Sequence, residues 1–388
     1  MTQARINSKV LKWARGRLNI SSNELAHRLR LSKPDRLYAW EDGKEYPTFR
    51  QAQELAKVLR IPLGYLFLSE PPLTALGISD FRTIPGTQAE KFSIELEDVL
   101  NDAYRKRDWL RERRIQDGQP PLAFVGSFSE NAFPKQISDD IRRTLELPSP
   151  TAKDTKSNEE HLNILVRQAE QVGIIVLQSG HVGSNTRRTL SVEEFRGFVL
   201  ADPYAPLIFI NARDFVNGRI FTFAHELVHI WTGTTGVSNP QIHPFGQEQN
   251  RIEVLCNQAA AELLVPEQYL NERWQNHSVN EVIQQLTNEC RVSKLVILIR
   301  AYETGLLSKS EFQLAYSQAR QEIEKVLNEK TSSDKSGGNF YRTLQKQNGQ
   351  LLLTEIAQAL REGSILHQEA SRLLNVSLKT LENALDPY

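Results

Sequence analysis

The sequence predicts an α+β fold in three parts: an all-α module of five short helices, a domain with a small sheet among helices, and a helical tail. Three observations lead there. Residues 1–70 carry apolar positions at helical spacing, broken at short intervals by turn and capping residues. From Gly173 the period changes to β-branched and aromatic runs of strand length. Beyond Ile220 the helical spacing returns, and strands followed by helices around one region indicate α+β rather than an alternating layout.

With 388 residues, 40% of them hydrophobic and 24% charged, the chain can bury two or three cores. The formal net charge is zero, which excludes a generic polyanion binder, but charge is uneven along the chain. Residues 1–70 hold thirteen Lys/Arg against seven Asp/Glu. A basic amino-terminal module on a slightly acidic body points to a nucleic-acid contact at one end, the alternative being a solvated basic surface. Two cysteines, Cys256 and Cys290, are too few for a disulfide framework and fit a reducing compartment. The first sixteen residues have no apolar signal-peptide core, and no apolar run is long enough to span a membrane. A cytoplasmic location without membrane contact is expected.

The module's helical patterns run from Asn7 to Leu18, Ser22 to Leu29, Pro34 to Glu41, Phe49 to Leu59 and Leu63 to Leu68. Ser21 with Glu24 is a capping-box pattern, Asp42-Gly43 stops the third helix, Pro47-Thr48 opens the fourth, and Pro62 opens the fifth. Residues 1–70 thus read as a helix-turn-helix domain, in which the third pattern would enter the major groove. Its outward polar groups Lys33, Asp35, Arg36 and Tyr38 are the candidate DNA-contacting residues, with Leu37 and Trp40 facing inward. Arg28, Arg30, Lys44 and Arg50 are candidate phosphate contacts. The alternative is a protein-interaction or dimerisation platform, because fold does not dictate function; assembly as a homodimer is left open.

Pro71-Pro72 closes the module, and residues 71–172 read as a helical connecting region with helices from Ile94 to Gln116, near Pro134 to Leu147 and from Glu159 to Val172. The next domain spans residues 173–330. Its strands are expected at Ile174 to Leu177, Phe195 to Leu200 and Leu207 to Ile210. Its helices are expected at Ile220 to Thr232, Gln249 to Leu264, Val279 to Cys290, Ser293 to Glu303 and Ser310 to Asn328. Residues 331–338, with Gly337-Gly338, read as a linker, and residues 339–388 as a helical region. Within it, Glu369 to Ser377 has a helix-turn-helix rhythm, though such a pair more often packs on its neighbours.

The chemistry centres on His225-Glu226-Leu227-Val228-His229. Residues four apart share a helix face, so both imidazoles can reach one ion, with Glu226 beside its open position; this is the HExxH zinc pattern. Apolar Phe221, Phe223, Leu227, Val228, Ile230 and Trp231 place the histidines in a core, where they need a reason. The helix from Arg251 to Pro266 carries two carboxylates on a greasy face, and a buried carboxylate needs a partner. Glu253 is the expected third ligand and Glu262 the reserve, with Asn257 one turn beyond Glu253 to orient a ligating histidine. Cys256 reads as a small buried thiol rather than a ligand. His243 is a weak candidate oxyanion donor beside a surface or structural role. Glu226 would act as the catalytic base on a water acidified by Zn²⁺; Mn²⁺ or Fe²⁺ could occupy the same ligands. An edge for an extended peptide substrate is sought in the segment from Phe198 to Asn211, whose strands could equally be internal.

Phe221 to Trp231, Glu253 to Asn257 leading to Ala260 to Pro266, and Phe195-Arg196-Gly197-Phe198 together resemble the ImmA/IrrE family of metallopeptidases. Trp40-Glu41-Asp42-Gly43, Tyr65 to Leu68 and Asp80-Phe81-Arg82-Thr83 resemble its long form with an amino-terminal XRE-type helix-turn-helix. The turn from Arg30 to Pro34 is longer than the usual pattern and lacks its common glycine. The resemblance implies a gluzincin-like zinc peptidase domain with His225, His229 and Glu253 as zinc ligands, Glu226 as base, and a transcriptional repressor of the helix-turn-helix type as protein substrate. It also implies contexts of stress response and transcription regulation. The competing reading is a DNA-binding regulator or antitoxin-like protein whose zinc domain binds a partner without proteolysis.

Overall fold

The computed structural model describes residues 3–18, 20–72, 79–80, 92–147, 155–240, 250–274, 278–330 and 340–385, with the backbone alone for 323–330. The chain divides into two compact units, Met1–Gly77 and Ile78–Tyr388. The expected linker at 331–338 lies outside the described residues, as do Phe81 to Thr83.

The first unit is all-helical: α1 (Ser8–Arg17), α2 (Ser22–Arg28), α3 (Asp35–Glu41), α4 (Phe49–Leu59), then a single 3₁₀ stretch Leu63–Phe67 where a fifth α-helix was expected. Side chains close the helix starts. Asn7 accepts from the Lys9 amide, Ser21 from that of Glu24, and Thr48 and Gln51 form a reciprocal capping box. Leu11, Leu25, Leu37, Trp40, Leu55 and Leu59 make the core. Glu41, 4% exposed, ties three helices together by accepting from Arg15 Nε at 2.6 Å and Ser22 Oγ at 2.9 Å. Arg30, just past α2, holds φ at 54°, a left-handed conformation that glycine enters without strain.

The second unit begins with β1 (Ser79–Asp80), α5 (Ile94–Gln116), α6 (Pro134–Thr144) and α7 (Asn158–Gln171). The strands β2 (Ile175–Ser179), β3 (His181–Val182), β4 (Asn185–Thr189), β5 (Gly197–Leu200) and β6 (Leu207–Asn211) follow, then α8 (Val216–Trp231) and β7 (Gly236–Ser238). The rest is helical: α9 (Arg251–Leu264), α10 (Glu267–Trp274), α11 (Val279–Cys290), α12 (Lys294–Glu303), α13 (Lys309–Lys330), α14 (Phe340–Asn348), α15 (Gln350–Arg361), α16 (His367–Leu374) and α17 (Leu378–Leu385).

Five strands form one mixed sheet in the order β1-β7-β5-β6-β2, while β3 and β4 pair as a separate hairpin. β5 runs antiparallel to both β6 and β7, and β2 and β6 are parallel. Every residue of β2, β5 and β6 is buried, which explains their continuous apolar runs. Val199, Ile208 and Ile210 join the core of α8 and α9, whereas Phe198 and Phe209 stack on each other with ring centroids 4.8 Å apart. The segment from Phe198 to Asn211 is therefore interior and offers no free edge; the strand next to β5 is β7, itself paired with β1.

α6 packs on α9 and α8, so the region before the sheet covers the histidine helix directly. Trp231 stacks on Phe124 at 4.6 Å and donates through Nε1 to Asp140 Oδ2 at 2.8 Å. The tail docks on β2 and α5. Gly349, at φ 76°, lies so close to the sheet that an added Cβ would sit 2.9 Å from the Val176 carbonyl, and the amide of Leu351 donates to Glu170 Oε1 at 3.2 Å. Arg113 of α5 pairs with Glu355 and Glu362 of α15 and its cap. α16 and α17, the pair with helix-turn-helix rhythm, pack against α15 and α5.

Candidate metal centre

From Arg219 to Trp231 all thirteen residues of α8 are buried, because the helix lies between the sheet and the layer of α6 and α9. One turn apart on it, His225 and His229 are wholly inaccessible, and their Nε2 atoms stand 3.1 Å from each other. α9 starts where Asn250 Oδ1 accepts from the Ile252 amide, and its small buried residues Cys256, Ala259 and Ala260 let it press against α8. That approach delivers Glu253. Its Oε2 is 3.4 Å from His225 Nε2 and its Oε1 3.0 Å from His229 Nε2.

Among the described residues, these three form the group able to hold a metal ion. The spacing fits one: donors on a tetrahedral zinc lie roughly 3.3 Å apart given bond lengths of about 2.0 Å. The electrostatics fit as well. Burial alone would raise Glu253, but the charges and hydrogen bonds of His225 and His229 outweigh it and hold the carboxyl well below the usual carboxylate range. Burial lowers His229, keeping its imidazole neutral, whereas at His225 the charge and hydrogen bond of Glu253 outweigh burial and raise it. An ionised carboxylate and neutral imidazoles are the forms that bind a metal, so an ion would displace the proton that His225 shares with Glu253.

Groups outside the three orient them. His229 Nδ1 is 2.6 Å from Thr234 Oγ1, whose own hydroxyl faces the His229 carbonyl at 3.4 Å. With the ring proton on Nδ1 donated to Thr234, Nε2 keeps its lone pair for a ligand. Asn257, the residue expected to orient a histidine, lies beside His225 and favours its charged form. The pair is not closed to a hydrogen bond, since neither His225 Nδ1 nor Asn257 Oδ1 has a partner within bonding geometry.

Glu226 is equally buried and stands outside the group of three. Ser238 of β7 donates to its Oε1, while Oε2 has no partner. Burial pushes Glu226 up to about 8 against the pull of His225 and of the Ser238 hydrogen bond. Gly197 of β5 leaves room for the carboxylate: a Cβ there would stand 2.7 Å from Glu226 Oε1 and 2.6 Å from Thr222 Cγ2. Ser238 and Thr234 were not singled out from sequence; the return of β7 alongside β5 brings Ser238 to the site, and the turn after α8 brings Thr234.

The reserve carboxylate, Glu262, is placed elsewhere. Arg300 of α12 pairs with it in the core, and the Glu267 amide donates to it at 3.3 Å. Cys256 is buried, with burial raising its thiol well above the ordinary value, as suits a packing residue. His243 lies outside the described residues.

Residues 169–302 match a peptidase family model described as the IrrE N-terminal-like domain, and residues 11–66 match one described as helix-turn-helix. Over these two stretches the chain is similar to a helix-turn-helix domain followed by an IrrE-like peptidase domain. No curated protein matches the chain. The IrrE-like match takes in α8, β7, α9 and α12, and therefore His225, Glu226, His229, Ser238, Glu253 and Arg300.

Within the helix-turn-helix domain, Lys33, Asp35 and Tyr38 are exposed on and before α3, with Leu37 and Trp40 buried beneath them. Tyr38 donates to Asn23 Oδ1 at 3.0 Å. Arg36 is half-buried, lies over the Trp40 ring at 5.7 Å and approaches Glu45 at 3.8 Å. Of the candidate phosphate contacts, Arg28 pairs with Glu24 and Lys44 with Asp42, while Arg30 and Arg50 are exposed and share a cavity with Arg36. Among the described residues no helix is long and apolar enough to cross a membrane.

Proposed function

We propose that the chain is a zinc-dependent endopeptidase that hydrolyses a peptide bond in a regulatory protein, a helix-turn-helix repressor by the family resemblance. The observation that carries this reading is the convergence of His225, His229 and Glu253 beside a buried carboxylate that is not one of the three. A zinc site serving structure alone has no use for Glu226 in that place.

In this reading His225 Nε2, His229 Nε2 and the Glu253 carboxylate hold the ion, and Thr234 fixes the His229 ring. A bound zinc supplies a Lewis acid that polarises the scissile carbonyl and makes a water reactive near neutral pH. Glu226 Oε1 is anchored by Ser238, so Oε2 is the atom that takes the proton from the attacking water and returns it to the leaving amine. The apolar walls from α8 and α9 exclude bulk water from this transfer.

Residues 1–70 serve in the same reading as a DNA-binding module, with Lys33, Asp35, Arg36 and Tyr38 towards the groove and the basic excess towards phosphates. We place the protein in the cytoplasm, where repressor and DNA are both present. Metal content and cleavage of helix-turn-helix repressors, measured for wild type and Glu226→Gln, test the peptidase assignment. One zinc per chain in both, with cleavage confined to the wild type, is the expected result. Zinc in both with no cleavage of any repressor by the wild type would favour a regulator that binds its partner without cutting it. Salt-dependent DNA affinity that survives deletion of residues 1–70 would overturn the role of the module.

A further inference from the structure

The way α8 ends bears on one of its two histidines. Gly233, just past the helix, holds φ at 69°. Its amide donates to the Ile230 carbonyl at 3.0 Å, and the Thr234 amide donates to the His229 carbonyl at 2.9 Å. This left-handed stop folds the second residue beyond the helix back over the last turn. The residue folded back is Thr234, and the one it meets is His229. A segment preceding the stretch similar to the peptidase family braces the stop: the Gly126 amide donates to the Ile230 carbonyl at 2.9 Å and the Phe128 amide to that of Trp231 at 3.0 Å. A Cβ on Gly233 would stand 3.1 Å from the Gly126 Cα. α5 stops in the same way at Gly118, also at φ 69°, where the amides of Gly118 and Gln119 meet the Ile115 and Arg114 carbonyls at 3.1 and 2.9 Å.

The partners of the two threonine hydroxyls beside this stop decide where their protons lie, since each has one proton to donate. Thr232 Oγ1 lies 3.1 Å from the Val228 carbonyl and 3.2 Å from that of His229; carbonyls only accept, so the Thr232 proton lies there. Thr234 Oγ1 therefore donates to Thr232 Oγ1 at 3.0 Å or to the His229 carbonyl at 3.4 Å. No proton of Thr234 remains for His229 Nδ1, 2.6 Å away, so the ring nitrogen is the donor.

Given His229 as a metal ligand, as the proposed function requires, we propose that Thr232 and Gly233 are further positioning residues of the centre, both acting through Thr234. Gly233 supplies the left-handed turn that any other residue adopts at a cost, and so places Thr234 on the ring. Thr232 directs the Thr234 hydroxyl away from the ring and leaves its lone pair for the Nδ1 proton. With that proton held on Nδ1, Nε2 presents its lone pair to the ion; with the proton on Nε2 it would present none.

Zinc affinity of the full chain, measured by competition with a chelating dye, tests the assignment. Thr234→Val is expected to weaken zinc roughly 10- to 100-fold, the usual effect of losing a group that orients a ligating histidine, and Thr234→Ser to restore most of it. Gly233→Ala should weaken zinc roughly tenfold. Gly118→Ala, which strains the same kind of stop where a new Cβ has nothing within 4 Å, should leave zinc affinity unchanged. Adding Gly233→Ala to Thr234→Val should weaken zinc no further, because both act through one hydrogen bond. Thr232→Val, of the same shape at a half-buried position, should weaken zinc several-fold and carries the test if Gly233→Ala fails to fold. Nitrogen-15 spectra of the zinc-loaded wild type should place the His229 ring proton on Nδ1. Equal zinc affinity in wild type, Thr232→Val and Gly233→Ala would overturn the proposal alone, as would losses that multiply in the double variant or a His229 proton on Nε2. Absence of zinc from every protein, wild type included, would overturn it together with the metal reading beneath it.

Discussion

Ser238 Oγ donates a hydrogen bond to Glu226 Oε1, joining the strand that follows the histidine helix to the carboxylate within it. A carboxylate held at one oxygen cannot rotate freely, which leaves the other aimed at one place. In the proposed peptidase this makes Ser238 a positioning residue. Ser238→Ala is expected to lower kcat by roughly 10- to 100-fold, the worth of a hydrogen bond to a charged group, with zinc content unchanged. Ser238→Thr, which keeps the hydroxyl, should recover much of the loss. Equal kcat in Ser238→Ala and wild type would show that Glu226 needs no such anchor.

Metal removal should be felt in stability as well as in activity. An ion bound only by the folded chain stabilises it by about 2.7 kcal/mol at a hundredfold excess over its Kd. A chelator should therefore lower the unfolding midpoint of the wild type, and added zinc should restore it. His225→Ala should show neither response. A midpoint in the wild type that ignores both chelator and zinc would count against His225, His229 and Glu253 as ligands.

The ion pair between Glu262 and Arg300 lies in the core, at 5% and 7% exposure. Arg300→Met leaves a buried carboxylate without its cation and is expected to cost about 3–5 kcal/mol. Replacing both, as Glu262→Leu with Arg300→Met, should recover part of that loss, because no carboxylate stays unpaired at 262 while Glu303, the Val265 carbonyl and the Glu267 amide still lose a partner. Denaturant unfolding of the single and double variants checks both statements, and a double variant as unstable as the single would refute the second.

Glu170 gives the tail a pH dependence. Burial raises its carboxyl from 4.5 to about 7, despite the hydrogen bonds it accepts from the amides at the start of α15. The folded chain thus keeps a proton that the unfolded chain releases between those values. This contribution is complete below pH 4.5 and is lost as pH rises through 7, and it amounts to about 3 kcal/mol at most. Glu170→Gln should flatten the stability profile across that window. An unchanged slope, read from unfolding midpoints at several pH values, would show that Glu170 titrates normally.

What could be read from the sequence was what local spacing controls. α5 was expected at Ile94–Gln116 and lies there, because a single amphipathic run is bounded by the Ser93 cap and the Asp117-Gly118 stop. The histidine pair followed from a four-residue spacing that any helix imposes, and the carboxylates of α9 from the cost of burying charge. Which carboxylate meets the histidines and which meets Arg300 depends on how α9 lies against α8 and α12, a relation that spacing does not encode. Strand β7 escaped notice because Gly236-Val237-Ser238 is too short to show a period, and with it went Ser238 as a partner of Glu226. Whether β5 is an edge or an interior strand stayed open for the same reason: its neighbour β7 is not legible in the sequence.

Gly197 carries that dependence into the genetics of the site. Every amino acid one base change away from a glycine codon has a Cβ, and a Cβ at this position collides with Thr222, with Glu226 and, at 3.1 Å, with the carbonyl of Phe209. No single missense step at residue 197 leaves the carboxylate where it is. Any side chain at residue 197 therefore requires Thr222 and Glu226 to yield together, so the place of the carboxylate is set partly by the lack of a side chain on the facing strand.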